Sequence, residues 1–308
     1  MTTYQYQNKN VRNTFLIFIL FTGLTTIIGL GLSTVFRNGA FLVGAAVMSI
    51  GQGLVGYFMG EQMAIGQSGG QRVDESSSPQ LFHLVDDLSR TAGIPIPDLY
   101  VSPDPSMNAF ACGRGPGRAS ICVNQGLIDV LNKQELEGVL AHEISHIKNR
   151  DTLTMTMAMV MSSLIAALCD LGIRAQMFGG GMFGGGNNDN ENESPGWVMM
   201  IPVIITLFVA PLLSALLQFA ISRSREYHAD ASAVQLTRYP QGLIDALRKI
   251  SGSPTPTDRY SSSMAHFYIS EPKQYFGESA KDGWFSTHPA VENRIKALMD
   301  QDGQAPLE

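Results

Sequence analysis

The chain has 308 residues, of which 44% are hydrophobic and 16% are charged, and its formal net charge at pH 7 is -6. This charge excludes a basic surface for nucleic acid, so nucleic acid is not an expected partner. Long uncharged apolar segments exclude a simple soluble protein, and the three cysteines, an odd number, argue against a disulfide framework and suit a reducing cytoplasm.

The first two apolar segments, residues 14–36 and 38–60, predict a transmembrane hairpin. Each segment lacks charged residues and is long enough to cross a bilayer, and only Arg37 separates them. Lys9 and Arg12 precede the first segment, as basic residues also precede a cleavable signal peptide. Because the segment is too long for such a peptide and lacks a small-residue cleavage site, we expect an uncleaved anchor.

A linker and an amphipathic helix are predicted after this hairpin. The linker is assigned to residues 69–71 and 76–79, which are rich in Gly and Ser. The helix is assigned to residues 79–91, because Leu and Val recur on one face of it and Gly93 follows as a stop signal.

Three strands of a small sheet are predicted next. Residues 99–101, 108–112 and 119–123 are short apolar runs separated by turns rich in Pro and Gly. Residues 108–112 form either a plain strand of that sheet or an edge strand that pairs with an extended substrate backbone. The residues alone leave both interpretations open.

The following helix carries an H-E-x-x-H pattern formed by His142, Glu143 and His146. Residues four apart share a helical face, so the two histidines can bind one tetrahedral zinc while Glu143 reaches a water molecule on it. Asn132 and Glu135 form a capping-box pattern at the start of this helix. Random placement of the chain's His and Glu would give the pattern about 0.005 times per chain, so we favour a metal site over a pair of core histidines.

Two further apolar segments, residues 152–169 and 194–222, predict a second transmembrane hairpin. The connector, residues 174–196, is rich in Gly and Asn and is predicted to be a flexible loop. Lys and Arg are frequent in the N-terminal tail, in residues 61–151 and just after residue 222, but the connector contains only Arg174. The positive-inside rule therefore places both termini and both polar blocks in the cytoplasm.

The third metal ligand is predicted just after the fourth apolar segment, because a catalytic zinc takes three protein ligands and keeps one position open. Glu226 and Asp230 are four residues apart and share a helical face, whereas His228 points elsewhere. We assign Glu226 as the ligand and Asp230 as the carboxylate that hydrogen-bonds a ligating histidine. His228 is interpreted as a solvated or packing residue. Both His146 and Glu226 lie about two helical turns or less from an apolar segment, so the metal is expected near the cytoplasmic membrane surface.

The order of the motifs along the chain resembles that of the HtpX-type integral-membrane zinc metalloproteases. These are bacterial heat-shock proteases related to the CAAX prenyl endoproteases. The resemblance covers nearly the whole chain. It rests on the paired apolar segments, the H-E-x-x-H pattern, the run Asn-Ala-Phe-Ala at 108–111, residues 226–230, and Thr-His-Pro at 287–289 followed by Arg294. Cys112 departs from the family, in which a Thr often follows the Asn-Ala-Phe-Ala run.

The resemblance implies that zinc is bound by His142, His146 and Glu226, with Glu143 as the catalytic base. This assignment agrees with the one made from helical spacing.

The resemblance also implies a substrate cleft. It places Asn108, Ala109 and Phe110 on the substrate-binding edge strand, and His288 and Arg294 at the border of the cleft. His288 is a candidate to stabilise the oxyanion. Taken by themselves, the residues favour a helix-entry turn at His288 and a surface charge at Arg294.

We predict a mainly α-helical protein with a small β-sheet, four transmembrane helices in two hairpins, and a zincin-like cytoplasmic metallopeptidase domain interrupted by the second hairpin. Residues 1–72 form the N-terminal tail and the first hairpin, and residues 73–151 form the first part of the peptidase domain. Residues 152–222 form the second hairpin with its loop, and residues 223–308 complete the peptidase domain. The chain is expected to be a multi-pass protein of the bacterial plasma (inner) membrane.

The predicted function is that of a zinc metalloendopeptidase with one Zn²⁺ per chain. It would hydrolyse peptide bonds in misfolded or damaged membrane proteins and in unfolded soluble proteins. Its zinc would lower the pKa of a water molecule and polarise the scissile carbonyl, while Glu143 would take the proton and deliver it to the leaving amine. The resemblance implies protein quality control under stress, with autoproteolysis and with other membrane quality-control proteases as partners beside the lipid bilayer.

Two interpretations from other classes compete with this one. A transporter or channel is disfavoured because the predicted spans hold no ionisable residue except Asp170 at a margin. A zinc-stabilised, non-catalytic membrane scaffold or holdase is the main alternative, since the same ligands can serve a structural site. Glu143 discriminates between the two, because a purely structural site has no use for a base beside an open coordination position.

Overall fold

The computed structural model describes residues 3–163, 223–253, 267, 269 and 289–302. Its helices are α1 (Thr3–Phe36), α2 (Ala40–Ser68), α3 (Pro79–Ala92), α4 (Gln125–Val130), α5 (Lys133–Lys148), α6 (residues 151–163), α7 (Arg223–Thr237), α8 (Pro240–Gly252) and α9 (Val291–Asp302). Its strands are β1 (Gln71–Val73), β2 (Asp98–Ser102), β3 (Ala109–Gly115) and β4 (Arg118–Asn124). The prediction of a mainly helical protein with a small sheet is therefore confirmed for the described residues.

The first two helices are long and apolar enough to cross a membrane. Their candidate spans are Asn10–Gly31 and Leu42–Ser68, of which only 18% and 17% are buried inside the chain. Large apolar side chains therefore point outwards along both helices, as Phe15 and Val47 do. Exposure of such a surface to water would cost about 25 cal/mol of free energy per Å² of apolar area, so a lipid environment suits these helices better.

The helix α6 begins the segment predicted as the third span, and it packs against both α1 and α2. Phe21 of α1 lies in one apolar cluster with Leu153 and Met157 of α6. On α2, Gly60 permits a close approach, because a Cβ there would lie 2.5 Å from a methyl carbon of Thr156. The end of this segment, the connector and the predicted fourth span lie outside the described residues, so the number of spans stays a prediction.

The sheet has the strand order β1-β2-β4-β3, which leaves β3 at one edge. The strands β2 and β4 are parallel, whereas the other two pairs are antiparallel. The three predicted strands are confirmed, but the assignment of Gln71 to a linker is wrong, because Gln71–Val73 forms β1 and pairs with β2. Two of the three β1 side chains are exposed, so this strand has no apolar pattern that the sequence could show.

The helix α5 lies at the centre of the soluble part. It packs against α3, α7, α8 and β3, and its residues from Leu136 to Ile147 are almost all buried. At Gly138, a Cβ would lie only 2.7 Å from the backbone nitrogen of Leu243, so α8 can approach only a glycine at this position. Because α5 is surrounded on all sides, its polar side chains must find hydrogen-bond partners in the interior.

The capping box predicted at the start of α5 is confirmed. The Asn132 side chain accepts a hydrogen bond from the Glu135 backbone N–H, and the Glu135 carboxylate accepts one from the Asn132 N–H. Lys249 of α8 donates a further hydrogen bond to Glu135 at 2.7 Å. The cap thus fixes both the start of α5 and the position of α8 against it.

Replacement of Asn132 by Ala should destabilise the metal-free protein, because it leaves a helix N–H without an acceptor. We expect a loss of about 1 kcal/mol in the free energy of unfolding. Thermal unfolding of the detergent-purified protein measures the effect, with Gln134→Ala at the neighbouring exposed position as the control. Equal melting temperatures for the two variants would contradict the role of the cap.

Candidate metal centre

Three side chains from two helices converge in the interior. His142 and His146 of α5 and Glu226 of α7 are buried, and each offers a ligand atom within 4.8 Å of the others. The two Nε2 atoms of the histidines lie 3.1 Å apart, and the Glu226 oxygens lie 3.7 and 3.6 Å from them. Ligand atoms of a tetrahedral zinc lie about 3.3 Å from one another. This donor set therefore fits such an ion in both chemistry and spacing.

A carboxylate holds the other ring nitrogen of each histidine. His142 Nδ1 lies 2.9 Å from Asp230 Oδ1, and His146 Nδ1 lies 3.1 Å from Asp151 Oδ2. A carboxylate at Nδ1 keeps the proton on that nitrogen, so the lone pair of Nε2 points to the centre of the cluster. The position of Asp230 is the one expected from its spacing along α7.

Asp151 was missed by the sequence analysis. It lies beyond the end of α5, so helical spacing does not place it on the face of His146. Arg150 adopts a left-handed conformation with φ 61°, and this turn brings Asp151, the first residue of α6, back beside His146. An acidic residue shortly after the second histidine is the only signal in the sequence, and it does not indicate the turn.

Arg294 of α9 is completely buried, with 0% of its surface exposed, so it is not the surface charge that its residue type alone suggests. Its guanidinium donates two hydrogen bonds to Asp230, at 2.8 and 2.6 Å. It also lies 3.6 Å from Glu226 and donates to the backbone carbonyl of Ile269 at 2.9 Å. Burial raises the pKa of Asp230, but the charge and hydrogen bonds of Arg294 outweigh this and hold it below the usual range.

Glu143 lies between the three ligand side chains and the edge strand. The carboxylate is buried, and it accepts a hydrogen bond from the backbone N–H of Ala111 in β3. Burial, together with the nearby charge of Glu226, raises its pKa to about 8. A carboxylate whose pKa lies near neutrality is suited to accept and release a proton during a reaction.

In the edge strand β3, the backbone N–H and C=O groups of every second residue point away from the neighbouring strand β4. Asn124 of β4 donates its N–H to the Asn108 carbonyl, so the backbone groups of Ala109, Ala111 and Gly113 face away from the sheet. The Gly113 N–H donates to the hydroxyl of Thr156 in α6, which covers that end of the strand. The outward edge near Ala109 and Ala111 is the part that lies beside Glu143.

The first residues of the predicted cleft contact another segment of the chain. The Asn108 side chain accepts a hydrogen bond from the Ile269 N–H at 3.0 Å, and the rings of Phe110 and Phe267 lie 5.2 Å apart. His288 lies outside the described residues. His228 of α7 is half-buried and does not belong to the three-ligand cluster, as expected from its spacing.

The two ligand histidines differ in their affinity for protons. Burial, together with the charges of Arg294 and His146, lowers the pKa of His142 even though Asp230 raises it. Burial also lowers the pKa of His146, but the hydrogen bond with Asp151 and the charge of Glu226 outweigh it and raise the pKa to about 9. In the metal-free protein at pH 7, His146 is therefore protonated and His142 is neutral.

Metal binding should therefore release a proton from His146, because a ligating imidazole must be neutral. Below a pKa of about 9, the metal competes with that proton, so the apparent metal affinity should rise with pH. We expect an increase of up to about tenfold per pH unit between pH 6 and pH 8. Competition with a chromophoric chelator, corrected for the chelator's own protonation, measures it. An affinity that stays constant over this range would show that His146 is not protonated beforehand.

Comparison with known proteins gives consistent matches. The model of Peptidase family M48 matches residues 75–302, a region that contains every residue of this centre named above. A protease HtpX homolog from Lactobacillus helveticus is 39% identical over 300 residues, which cover 96% of this chain and 98% of that protein. Another from Tropheryma whipplei is 36% identical over 304 residues and covers 98% and 99% of the two chains. A crystal structure of S. mikatae Ste24p has a TM-score of 0.46 and 19% identity, covering 96% of this chain and 66% of that one.

Proposed function

Since this chain belongs to peptidase family M48, we propose that it is a membrane-bound zinc endopeptidase whose metal is held by His142, His146 and Glu226. The observation that carries this proposal is the position of Glu143, a buried carboxylate with a pKa of about 8 beside these ligands. The three ligand atoms leave one position of a tetrahedral ion for water or substrate. A structural zinc site uses four protein ligands and needs no base.

The donor set of two imidazoles and one carboxylate favours zinc. When bound, zinc supplies Lewis acidity, which makes water a nucleophile near neutral pH and polarises a peptide carbonyl. Glu143 takes the proton of the attacking water and delivers it to the leaving amine. Asp230 and Asp151 keep both histidines in the tautomer that ligation requires, and Arg294 holds Asp230 in place.

The substrate is an extended segment of an unfolded or misfolded protein. Such a segment adds to the outward edge of β3 at Ala109 and Ala111, where its backbone lies beside Glu143. Asn108 and Phe110 alternate with these residues, so their backbone groups face β4 and they would border the substrate. His288 is a candidate to stabilise the oxyanion. Because backbone hydrogen bonds do not depend on side chains, this mode of binding suits substrates of varied sequence.

The metal centre lies close to the membrane. Gln7, near the start of α1, donates a hydrogen bond to the carbonyl of Lys148 at the end of α5.

The distribution of basic residues favours a cytoplasmic position for the peptidase domain and for both termini in the bacterial plasma membrane. The packing of α7 and α8 on α5, across the intervening residues 152–222, supports a domain interrupted by a second hairpin. Quality control of damaged membrane proteins under stress is the role that this position serves.

Replacement of Glu143 by Gln should abolish cleavage and leave zinc in place, because Glu143 moves a proton and is not a ligand. We expect the cleavage rate to fall by about 10² to 10⁴ or more. Detergent-purified protein, stripped of metal and reloaded with zinc, is assayed for zinc content, for cleavage of an unfolded protein and for self-cleavage. Glu137→Gln, the same change elsewhere on α5, is the matched control.

The outcomes separate the proposed peptidase from a zinc-stabilised scaffold. Cleavage by the wild type and the control, without cleavage by zinc-loaded Glu143→Gln, supports the peptidase. Full activity in Glu143→Gln refutes the proposed mechanism. Zinc bound in all three proteins, with no cleavage of any tested chain, favours the scaffold.

Binding of a substrate strand to β3 should be sensitive to every second backbone N–H of the substrate. We expect kcat/KM to fall about 2- to 10-fold when a peptide is N-methylated at positions that face the edge strand, since each loses about one hydrogen bond. N-methylation at the intervening positions serves as the internal control. Equal sensitivity at successive positions would argue against strand addition.

A further inference from the structure

A chain of buried hydrogen bonds runs from the first membrane helix to the metal centre. The side-chain amide of Asn10 in α1 donates one hydrogen bond to Asp151 Oδ1 at 2.7 Å and another to the Asn149 carbonyl at 3.0 Å. Asn10 is 4% exposed and Asp151 is 0% exposed. Both N–H groups of this amide are therefore used, away from water, on the turn between α5 and α6.

The two oxygens of the Asp151 carboxylate have different partners. Oδ1 accepts from Asn10, and Oδ2 lies 3.1 Å from Nδ1 of His146. One oxygen held by Asn10 fixes the rotation of the carboxylate, and the plane of the carboxylate then sets the direction of the imidazole. The direction of the imidazole decides where its Nε2 lies relative to the other ligands.

The same arrangement exists behind the other histidine ligand. Asp230 holds His142, and Arg294 holds both oxygens of Asp230. Each carboxylate is thus fixed by one further buried side chain. For His142 that side chain comes from α9, and for His146 it comes from a helix long and apolar enough to cross the membrane.

Neighbouring contacts fix the position of α1 along the α5–α6 turn. Gln7 donates to the Lys148 carbonyl at 2.8 Å, and the hydroxyls of Thr14 and Thr154 lie 2.5 Å apart. Residues 7, 10 and 14 lie about one helical turn apart, so they form one polar stripe on α1. Of these three residues, only Asn10 contacts Asp151 in the described structure.

We infer that Asn10 is a positioning residue for the metal ligand His146 and acts through Asp151, so that the first membrane helix contributes to metal affinity. The inference rests on the proposed function only in taking His146 as a zinc ligand. It assigns to α1 a part in the metal centre in addition to anchoring the chain.

The test measures the zinc affinity of the full-length protein in detergent, by competition with a chromophoric chelator. Asn10→Leu keeps a similar volume but has no donor, and it should bind zinc about 10- to 100-fold more weakly, as removal of such supporting partners does. Asp151→Asn should lose at least as much. The double variant should lose no more than Asp151→Asn alone, because Asn10 acts through Asp151. The KM for a peptide substrate should not change.

Thr14→Val is the matched control, since it removes the buried hydroxyl that contacts Thr154 and donates to the Asn10 backbone carbonyl, but leaves the Asn10 side chain and Asp151 unchanged. We expect its zinc affinity to stay within about twofold of the wild type, because the hydrogen bonds that join Asn10, Asp151 and His146 are kept. A zinc affinity of Asn10→Leu equal to that of the wild type overturns the inference. An additive loss in the double variant, or an equal loss in Thr14→Val, also overturns it, because either result assigns the effect to helix packing.

Asn10→Ser provides the same test if Asn10→Leu does not fold. Its hydroxyl can donate one hydrogen bond in place of two, so we expect a smaller loss of zinc affinity that is again absent in the Asp151→Asn background. Zinc affinity does not depend on cleavage, so a wild type that binds zinc but cuts no tested substrate favours the scaffold over the peptidase and leaves this inference standing. Conversely, an active wild type with unchanged zinc affinity in Asn10→Leu refutes only the inference.

Discussion

Buried charge around α5 is the constraint on which the rest of the structure depends. Four carboxylates and one guanidinium are buried around the two ligand histidines: Glu143, Asp151, Glu226, Asp230 and Arg294. Four negative charges against one positive charge are costly in an interior of low dielectric. In the metal-free protein, the raised pKa values of Glu143 and His146 add protons that relieve this excess. A divalent cation bound among the ligands would reduce the excess negative charge further. The same buried carboxylates that destabilise the metal-free site therefore favour metal binding.

The groups that hold these charges come from distant parts of the chain. Arg294 of α9 fixes the carboxylate behind one histidine, and Asn10 of α1 fixes the carboxylate behind the other. The helix α6 joins the two environments, because it starts at the metal centre with Asp151 and then packs against α1 and α2. The apolar helices and the soluble helices are therefore one structure, in which two hydrogen bonds link the apolar helix α1 to His146, a proposed metal ligand.

The edge strand β3 lies beside Glu143 and is the place proposed for a peptide substrate. The N–H of Ala111 donates a hydrogen bond to the Glu143 carboxylate, while Thr156 covers the other end of the strand at Gly113. The segment at Ile269 lies against Asn108 and against the buried Arg294. The site is thus bounded on one side by α6, which packs against the apolar helices α1 and α2.

The sequence by itself determined the features that depend on local spacing. The H-E-x-x-H pattern and the capping box at Asn132 are set by the period of one helix. The strands β2, β3 and β4 and the two apolar helices are set by their own runs of residues. Only the tertiary structure decided the rest: the pairing of β1, the return of Asp151 past a left-handed Arg150, the burial of Arg294 and the contact from Asn10. These features join residues that no helical or strand period relates. The contacts of Asn10, Asp151 and Arg294 form because a buried polar group requires a partner, which distant parts of the packed chain supply.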